Sequence, residues 1–529
     1  MKTKNNLLLL IALLIASCSD ANNSKNFEVS LHDKPLLEVQ TQPRPLPNPD
    51  KNAYFGDLHV HTENSFDAYT FGTISTPVDA YKYARGHAIQ HPSGYLIQLS
   101  RPLDFYAVTD HGVFMGLMKE AADTTSEFSK YEFTKPLHNL NESGGTGFRD
   151  LIKRGGLFKP FGEKVREGVA DGTIDESLIL EVGRTVWQKT IKAADDAYVP
   201  GTFTTFAAYE YTSSFELYDK YLHRNVIFKN TKNLPTRLFT RADNQDPEAL
   251  WDWMNGLRSN GVESLAIPHN SNISGGASFS LNDYNGGPID EEYAKNRSLN
   301  EPLVEITQVK GTSETHPLLS KNDEWAAFEV KTGVEAEKLL SNLKGSYVRD
   351  AYLRGLTLSE KGLTNPYKFG LIGSSDAHVG GPSDTEEVFH SKVGLLDGTA
   401  ELRGSIPFNR FYGTFLKVLR PNILKEVDGK NYFSASERLV QFAASGLAGV
   451  WAEENTREAL YDAFRRKETF GTSGPRMKVR FFAGYDLENS KLDDLSLIQD
   501  AYARSIPMGG TLNIEANKNP TFLVWAIAD

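Results

Sequence analysis

Gly56-Asp57-Leu58-His59-Val60-His61-Thr62 lies in the first apolar segment after the N-terminal region, and the rest of the chain is read from it. Apolar and polar residues alternate. As a strand, the segment places Leu58 and Val60 on one face and Asp57, His59 and His61 on the other. Two imidazoles two residues apart on one face can chelate one or two metal ions. This first segment runs over 54–61, and six more of strand length follow at 103–109, 203–211, 221–228, 264–268, 303–309 and 369–374. Helix-like stretches at 78–85, 176–194, 247–258 and 334–344 fall between most of them. That alternation predicts an α/β fold with a parallel sheet or barrel.

Nearly every one of these strands carries or ends in a titratable residue. In a (β/α) barrel the carboxyl ends of the strands converge on one face, so residues scattered in sequence become one cluster in space. Val108-Thr109-Asp110-His111-Gly112 offers one ligand and one residue to orient it. Glu210 sits inside the apolar run Phe206-Ala207-Ala208-Tyr209-Glu210-Tyr211, where a carboxylate is costly unless paired or metal-bound. His223 and His269 add single imidazoles, and Asp376-Ala377-His378 places a carboxylate and an imidazole on one face. Asp67, in the loop after His61, is a further candidate ligand. Arg224, Lys310 and Arg476 are cations suited to gripping an anion, with His316 at the rim. Asp57 and Asp110 suit orientation of ligands or protonation of a leaving oxygen.

The ordered string of HxH, Asp-His, Glu, two single His and Asp-x-His resembles the PHP (polymerase and histidinol phosphatase) superfamily. The phrases GDLHVHTENS (56–65), YAVTDH (106–111), AAYEYT (207–212), LHRNVIF (222–228), IPHN (267–270), GSSDAH (373–378) and TFGTSGPR (469–476) look closest to a bacterial PHP-like family of secreted proteins filed as a domain of unknown function. The resemblance implies a distorted (β/α)7 barrel over 51–480, with a long insertion at about 112–200 that walls or lids the site. A small β-containing region follows at 481–529. It implies metal ligation by His59, His61, His111, Glu210, His223, His269, Asp376 and His378, with Asp67 where some relatives supply another ligand. Two or three divalent transition metals (zinc, manganese or iron) suit that donor set. The implied activity is metal-dependent hydrolysis, with a phosphoester as the first substrate class. Amidohydrolase-type barrels share the HxH but use a bridging lysine and end in a lone Asp. Glu210 and the closing Asp-x-His favour PHP over an amide or ester hydrolase. A third reading is a surface protein that binds metal or glycan without catalysis.

The chain has 529 residues, with 57 Lys+Arg against 68 Asp+Glu and a net charge of −11. That balance excludes a general nucleic-acid binder. At the N-terminus, Lys2 and Lys4 precede an apolar run at 7–16, too short to span a bilayer but suited to a signal peptide. Ile15-Ala16-Ser17-Cys18 resembles a bacterial lipobox, which makes 1–17 a signal peptide and Cys18 the lipidated residue. Cys18 is the only cysteine, so no disulfide or downstream thiol chemistry is available. Residues 18–50, with Pro43, Pro45, Pro47 and Pro49, read as a tether. The expected location is the bacterial cell envelope, lipid-anchored. Ser19 after the cysteine favours the outer membrane, facing the periplasm or cell surface. The expected substrate is a small or glycan-linked anion. Near the C-terminus a helix is expected at 458–466 and strands at 477–482 and 511–516. The apolar end at 521–529 reads as an edge strand lacking partners in a chain that continues in its relatives.

Overall fold

Buried apolar strands form the centre of the architecture. The computed structural model describes residues 45–142, 148–213, 221–331, 343–419, 424–433, 442–485, 487 and 496–529. The signal segment, Cys18, most of the tether and nearly all of the helix expected at 334–344 lie outside the described residues.

The strands in chain order are β1 (Asn52–Asp57), β2 (Phe105–Val108), β3 (Thr204–Tyr211), β4 (Arg224–Phe228), β5 (Ser264–Pro268), β6 (Leu303–Gln308), β7 (Gly370–Gly373), β8 (Leu447–Ala452) and β9 (Thr469–Thr472). Each of the seven expected strands is present. Seven of the nine form a curled sheet in the order β9-β8-β1-β2-β3-β4-β5. β6 and β7 pair in parallel in a second, short sheet with Gly311–Thr312. β6 lies beside β5 and β7 beside β9, so the short sheet stands against both edges of the large one. Glycine makes the second of these contacts possible: a Cβ on Gly373 would lie 2.7 Å from both the Leu447 and Thr472 carbonyl oxygens.

The expectation of a parallel sheet holds in part. β1, β2 and β3 are parallel, but β4 runs antiparallel to both β3 and β5, and β8 antiparallel to β1 and β9. No helix separates β3 from β4 among the described residues, and strands joined without a crossover pair antiparallel. One apolar core draws Leu58, Phe105, Phe206, Ile227, Leu265, Leu303 and Ile372 together.

Helices form where caps and apolar spacing agree. α1 (Pro77–Ala84) begins with a capping box between Thr76 and Asp79 and proline in its first turn. The insertion is helical, dominated by α2 (Phe148–Ala170) and α3 (Glu176–Ala197). Val113, Leu117, Phe128, Phe161 and Ile174 give it a core of its own, which closes on Phe66 and Tyr69 from a short helix, Phe66–Thr70, that follows β1. α4 (Pro247–Ser259) starts on Asp246, and α5 (Glu291–Asn300) starts on Asp290. α6 (Val348–Glu360) was not anticipated, whereas α7 (Arg457–Arg466) matches its expectation.

The C-terminal region differs in two respects. Residues 511–516 form no strand. The last apolar segment has a partner: β11 (Thr521–Ile527) pairs antiparallel with β10 (Lys478–Gly484) from Thr521 to Ile527. Order also begins before residue 51, since the Asn48 amide donates to the Glu453 carbonyl at 2.8 Å and Arg480 donates to the Asp50 carbonyl at 2.7 Å. No helix among the described residues is long and apolar enough to cross a membrane.

Candidate metal centre

Glu210 is the hub of the site. It stands near the end of β3, 1% exposed, with both carboxylate oxygens among imidazoles. Oε2 lies 3.6 Å from His59 Nε2, 3.3 Å from His61 Nε2 and 3.2 Å from His111 Nδ1. Oε1 lies 2.5 Å from His223 Nδ1 and 3.4 Å from His269 Nε2. The reversal of β4 explains how His223 joins. It immediately precedes β4, and an antiparallel strand starts where its neighbour ends, so Asn225 pairs with Glu210.

The regular part of β1 stops at Asp57 and not at residue 61 as expected, so His59 and His61 lie just past the strand, but the two still converge. Their Nε2 atoms lie 3.6 Å and 3.5 Å from Asp376 Oδ1. Asp376 follows β7 with φ +60°, a left-handed conformation that non-glycine residues seldom adopt. The same holds for Asn270, φ +54°, directly after His269. Such strain persists where surrounding contacts enforce it, often at functional sites. Asp67 stands not in the expected loop but in the first turn of a short helix, Phe66–Thr70, and meets His378 Nε2 at 2.8 Å and His111 Nε2 at 3.3 Å through its Oδ2. All nine expected ligands therefore gather in one cluster, and each histidine among them is at most 6% exposed.

The donor chemistry fits metal ions. Four triads have one donor atom per residue within 4.8 Å of the others: His61/His111/His378, His59/His61/Asp376, His59/His269/Glu305 and Glu210/His223/His269. His59 Nε2, His61 Nε2 and both nitrogens of His269 are buried without a hydrogen-bond partner. Each such orphan costs about 1–3 kcal/mol, which coordination to a cation removes. Burial, reinforced by neighbouring imidazoles, holds His61 well below the usual histidine range and His269 down at about 4, so both rings are neutral at pH 7, the form that can donate to a metal. Burial works the same way on His59, but the Glu305 and Asp376 carboxylates outweigh it and raise it to about 10. Burial would raise Glu210, but His111 and His223 hold it well below its usual value.

Carboxylates and hydroxyls orient the ligands from outside. His59 Nδ1 bonds Glu305 Oε2 at 2.8 Å, and Gln308 donates to Glu305 Oε1 at 2.9 Å. His61 Nδ1 meets the Ser65 hydroxyl at 2.8 Å, which donates to Asp110 Oδ1 at 2.8 Å. Asp110 also accepts from the Thr62 amide and hydroxyl, each at 2.6 Å, so it is a bracing residue. Asp57 accepts the His59 amide at 3.0 Å and the Ser375 amide at 3.1 Å, and burial pushes its carboxyl up to about 7. Sequence reading missed Glu305, although a carboxylate in the apolar strand LVEITQ carries the same signal as Glu210.

The cations separate. Lys310 reaches the cluster, with Nζ 2.5 Å from Asp376 Oδ2 and 14% of its side chain exposed. It also lies 5.7 Å from the Tyr221 ring, which stacks on His223 at 3.8 Å. Arg224 does not join. Its Nε donates to Glu301 Oε1 at 2.6 Å and its Nη1 to the Leu222 carbonyl, inside a buried network with Trp251 and Arg297. Alternation on a strand sends Arg224 to the face opposite His223. Arg476 is also engaged elsewhere, donating at 2.7 Å to the Pro102 and Arg101 carbonyls while its amide meets Asp529. His316 accepts the Leu318 amide at 3.2 Å in a half-buried turn. A second lysine that sequence reading missed, Lys392, contacts Asp376 Oδ1 and His378 Nδ1.

One solved structure similar to this chain is a two-domain protein from Bacteroides vulgatus containing a predicted PHP-like metal-dependent phosphoesterase. It is 10% identical, covers 82% of this chain and 68% of its own, and has a TM-score of 0.31. No curated protein matches. The family described as "Protein of unknown function (DUF3604)" matches residues 48–529, from the end of the tether segment through β11. The chain belongs to the DUF3604 family.

Proposed function

We propose that the cluster is a two- or three-metal centre in a distorted (β/α)7 barrel of PHP type, and that the protein is a metal-dependent phosphoesterase. The observation that carries this reading is Glu210, a buried carboxylate within 3.6 Å of five imidazole nitrogens. A carboxylate so placed suits a bridge between cations far better than a structural role. His59, His61, Asp67, His111, Glu210, His223, His269, Asp376 and His378 would hold zinc, manganese or iron. Such ions supply an activated water and charge to offset a phosphoryl group.

The chain's own residues do the rest. Glu305 and the Asp110–Ser65 pair fix the rings of His59 and His61. Lys310, partly exposed beside Asp376, is placed to bind an anionic oxygen of the substrate. The helical insertion, packed on Phe66 beside His111, walls the site. Lipid anchoring through Cys18 in the bacterial envelope completes the reading, and Cys18→Ala is expected to abolish incorporation of labelled palmitate.

The test is metal content by mass spectrometry of the full chain, beside Glu210→Ala and the Asp376→Ala/His378→Ala double variant. Hydrolysis of a phosphodiester, a phosphomonoester and an anilide is measured on each. Two or three transition metals per chain, with phosphoester turnover lost in Glu210→Ala, is the expected result. A folded wild type that takes up no metal, or one that cleaves only the anilide, overturns the proposal.

A further inference from the structure

Lys392 lies 4% exposed against the closing Asp-x-His pair. Its Nζ donates to the Asp376 carbonyl at 2.9 Å, reaches Asp376 Oδ1 at 3.1 Å and stands 3.0 Å from His378 Nδ1. Its carbonyl accepts the His378 amide at 2.7 Å. The loop that presents it is itself pinned. Asp397, 0% exposed, accepts the Lys392 amide at 2.7 Å, the Val393 amide at 2.8 Å and the Ser391 hydroxyl at 2.5 Å. Asp376 needs such support, because a non-glycine at φ +60° stays there only when its surroundings enforce it. Burying an ammonium is costly in its own right, so four contacts on one three-residue turn point to a task at that turn.

We infer that Lys392 is a positioning residue for the Asp376–His378 pair: it fixes the carboxylate and the imidazole in their metal-facing arrangement and thereby sets metal affinity. It acts through the Asp376 carboxylate, whose Oδ1 it shares with His59 and His61, and through the His378 ring. The inference rests on the metal-centre reading above. A purely electrostatic role predicts the opposite sign. An ammonium a few ångströms from a cation repels it, so a neutral replacement would tighten binding. Lys310 remains as a second cation on Asp376 when Lys392 is neutralised, so the carboxylate keeps a partner.

The experiment compares the full chain with Lys392→Met and Lys392→Gln. Zinc affinity is measured against a competing chelator, the visible spectrum is recorded with cobalt(II), and folding is checked by circular dichroism. Lys392→Met is expected to weaken zinc binding at one site about 10–100-fold and to shift the cobalt spectrum. Lys392→Gln, which keeps N–H donors without the charge, is expected to recover most of both. Zinc binding by folded Lys392→Met that equals or exceeds the wild type overturns the inference alone. Should Lys392→Met fail to fold, Asp397→Asn loosens the same loop with the lysine in place, and unchanged affinity and spectrum there overturn it equally. A wild type that binds neither zinc nor cobalt overturns this inference together with the metal-centre reading.

Discussion

Glu305 and Arg224 are both buried charged residues on strands, and their surroundings give them different work. Glu305 accepts from His59 and Gln308 and so fixes a ring whose other nitrogen faces the cluster. Glu305→Ala is therefore expected to lower metal affinity about 10–100-fold, read by competition titration, with the fold retained. Arg224 is locked to Glu301, beside Arg297 and Trp251. Removing one member of a buried ion pair costs about 3–5 kcal/mol. Arg224→Met is expected to fall near the lower end, about 3 kcal/mol in urea unfolding, because Arg297 still compensates Glu301. Its metal content at saturating zinc should equal the wild type; a loss of metal without a loss of stability would return Arg224 to the site. The distinction was hidden in the sequence because adjacent residues on a strand face opposite ways, so His223 and Arg224 could not both enter the cluster, and the pattern alone did not say which would.

Among the elements, β7 is pressed closely against the large sheet. A Cβ on Gly373 would stand 2.7 Å from two backbone oxygens of the large sheet, and backbone yields little. Gly373→Ala is expected to destabilise the protein by about 2 kcal/mol or more and to weaken metal binding, since Asp376 and His378 follow directly. Thermal unfolding and metal titration of the one variant check both parts. The strands themselves were legible because burial makes their apolar runs continuous, and the ligands because a charged side chain in such a run demands a partner. Strand direction was not legible: periodicity has no sense of up or down, so the reversal of β4 went unseen. Lys392 was hidden for another reason, since it sits in an irregular loop with no apolar periodicity, pinned in part by Asp397.

For the whole molecule, the cluster ties chain segments from His59 to His378 into one buried polar centre, and metal binding should act as a stabilising ligand on all of them. With free metal at 100 times the dissociation constant, the gain is about 2.7 kcal/mol. Chelation is expected to lower the unfolding midpoint of the wild type and to leave the Asp376→Ala/His378→Ala variant unmoved; equal shifts in both would place the effect elsewhere.

The pairing of β1 with β8 also sets a timetable. β1 holds Asp57 and leads to His59, yet it lies between β2 and β8, and Asn52 finds its partner only at Ala452. During synthesis, the first strand emerges some four hundred residues before the strand that flanks it. Partial chains therefore carry the ligands without the cavity. If the cavity closes only when β8 joins β1, an ion held by the cluster would be taken from the surroundings of the finished polypeptide, wherever that polypeptide then is.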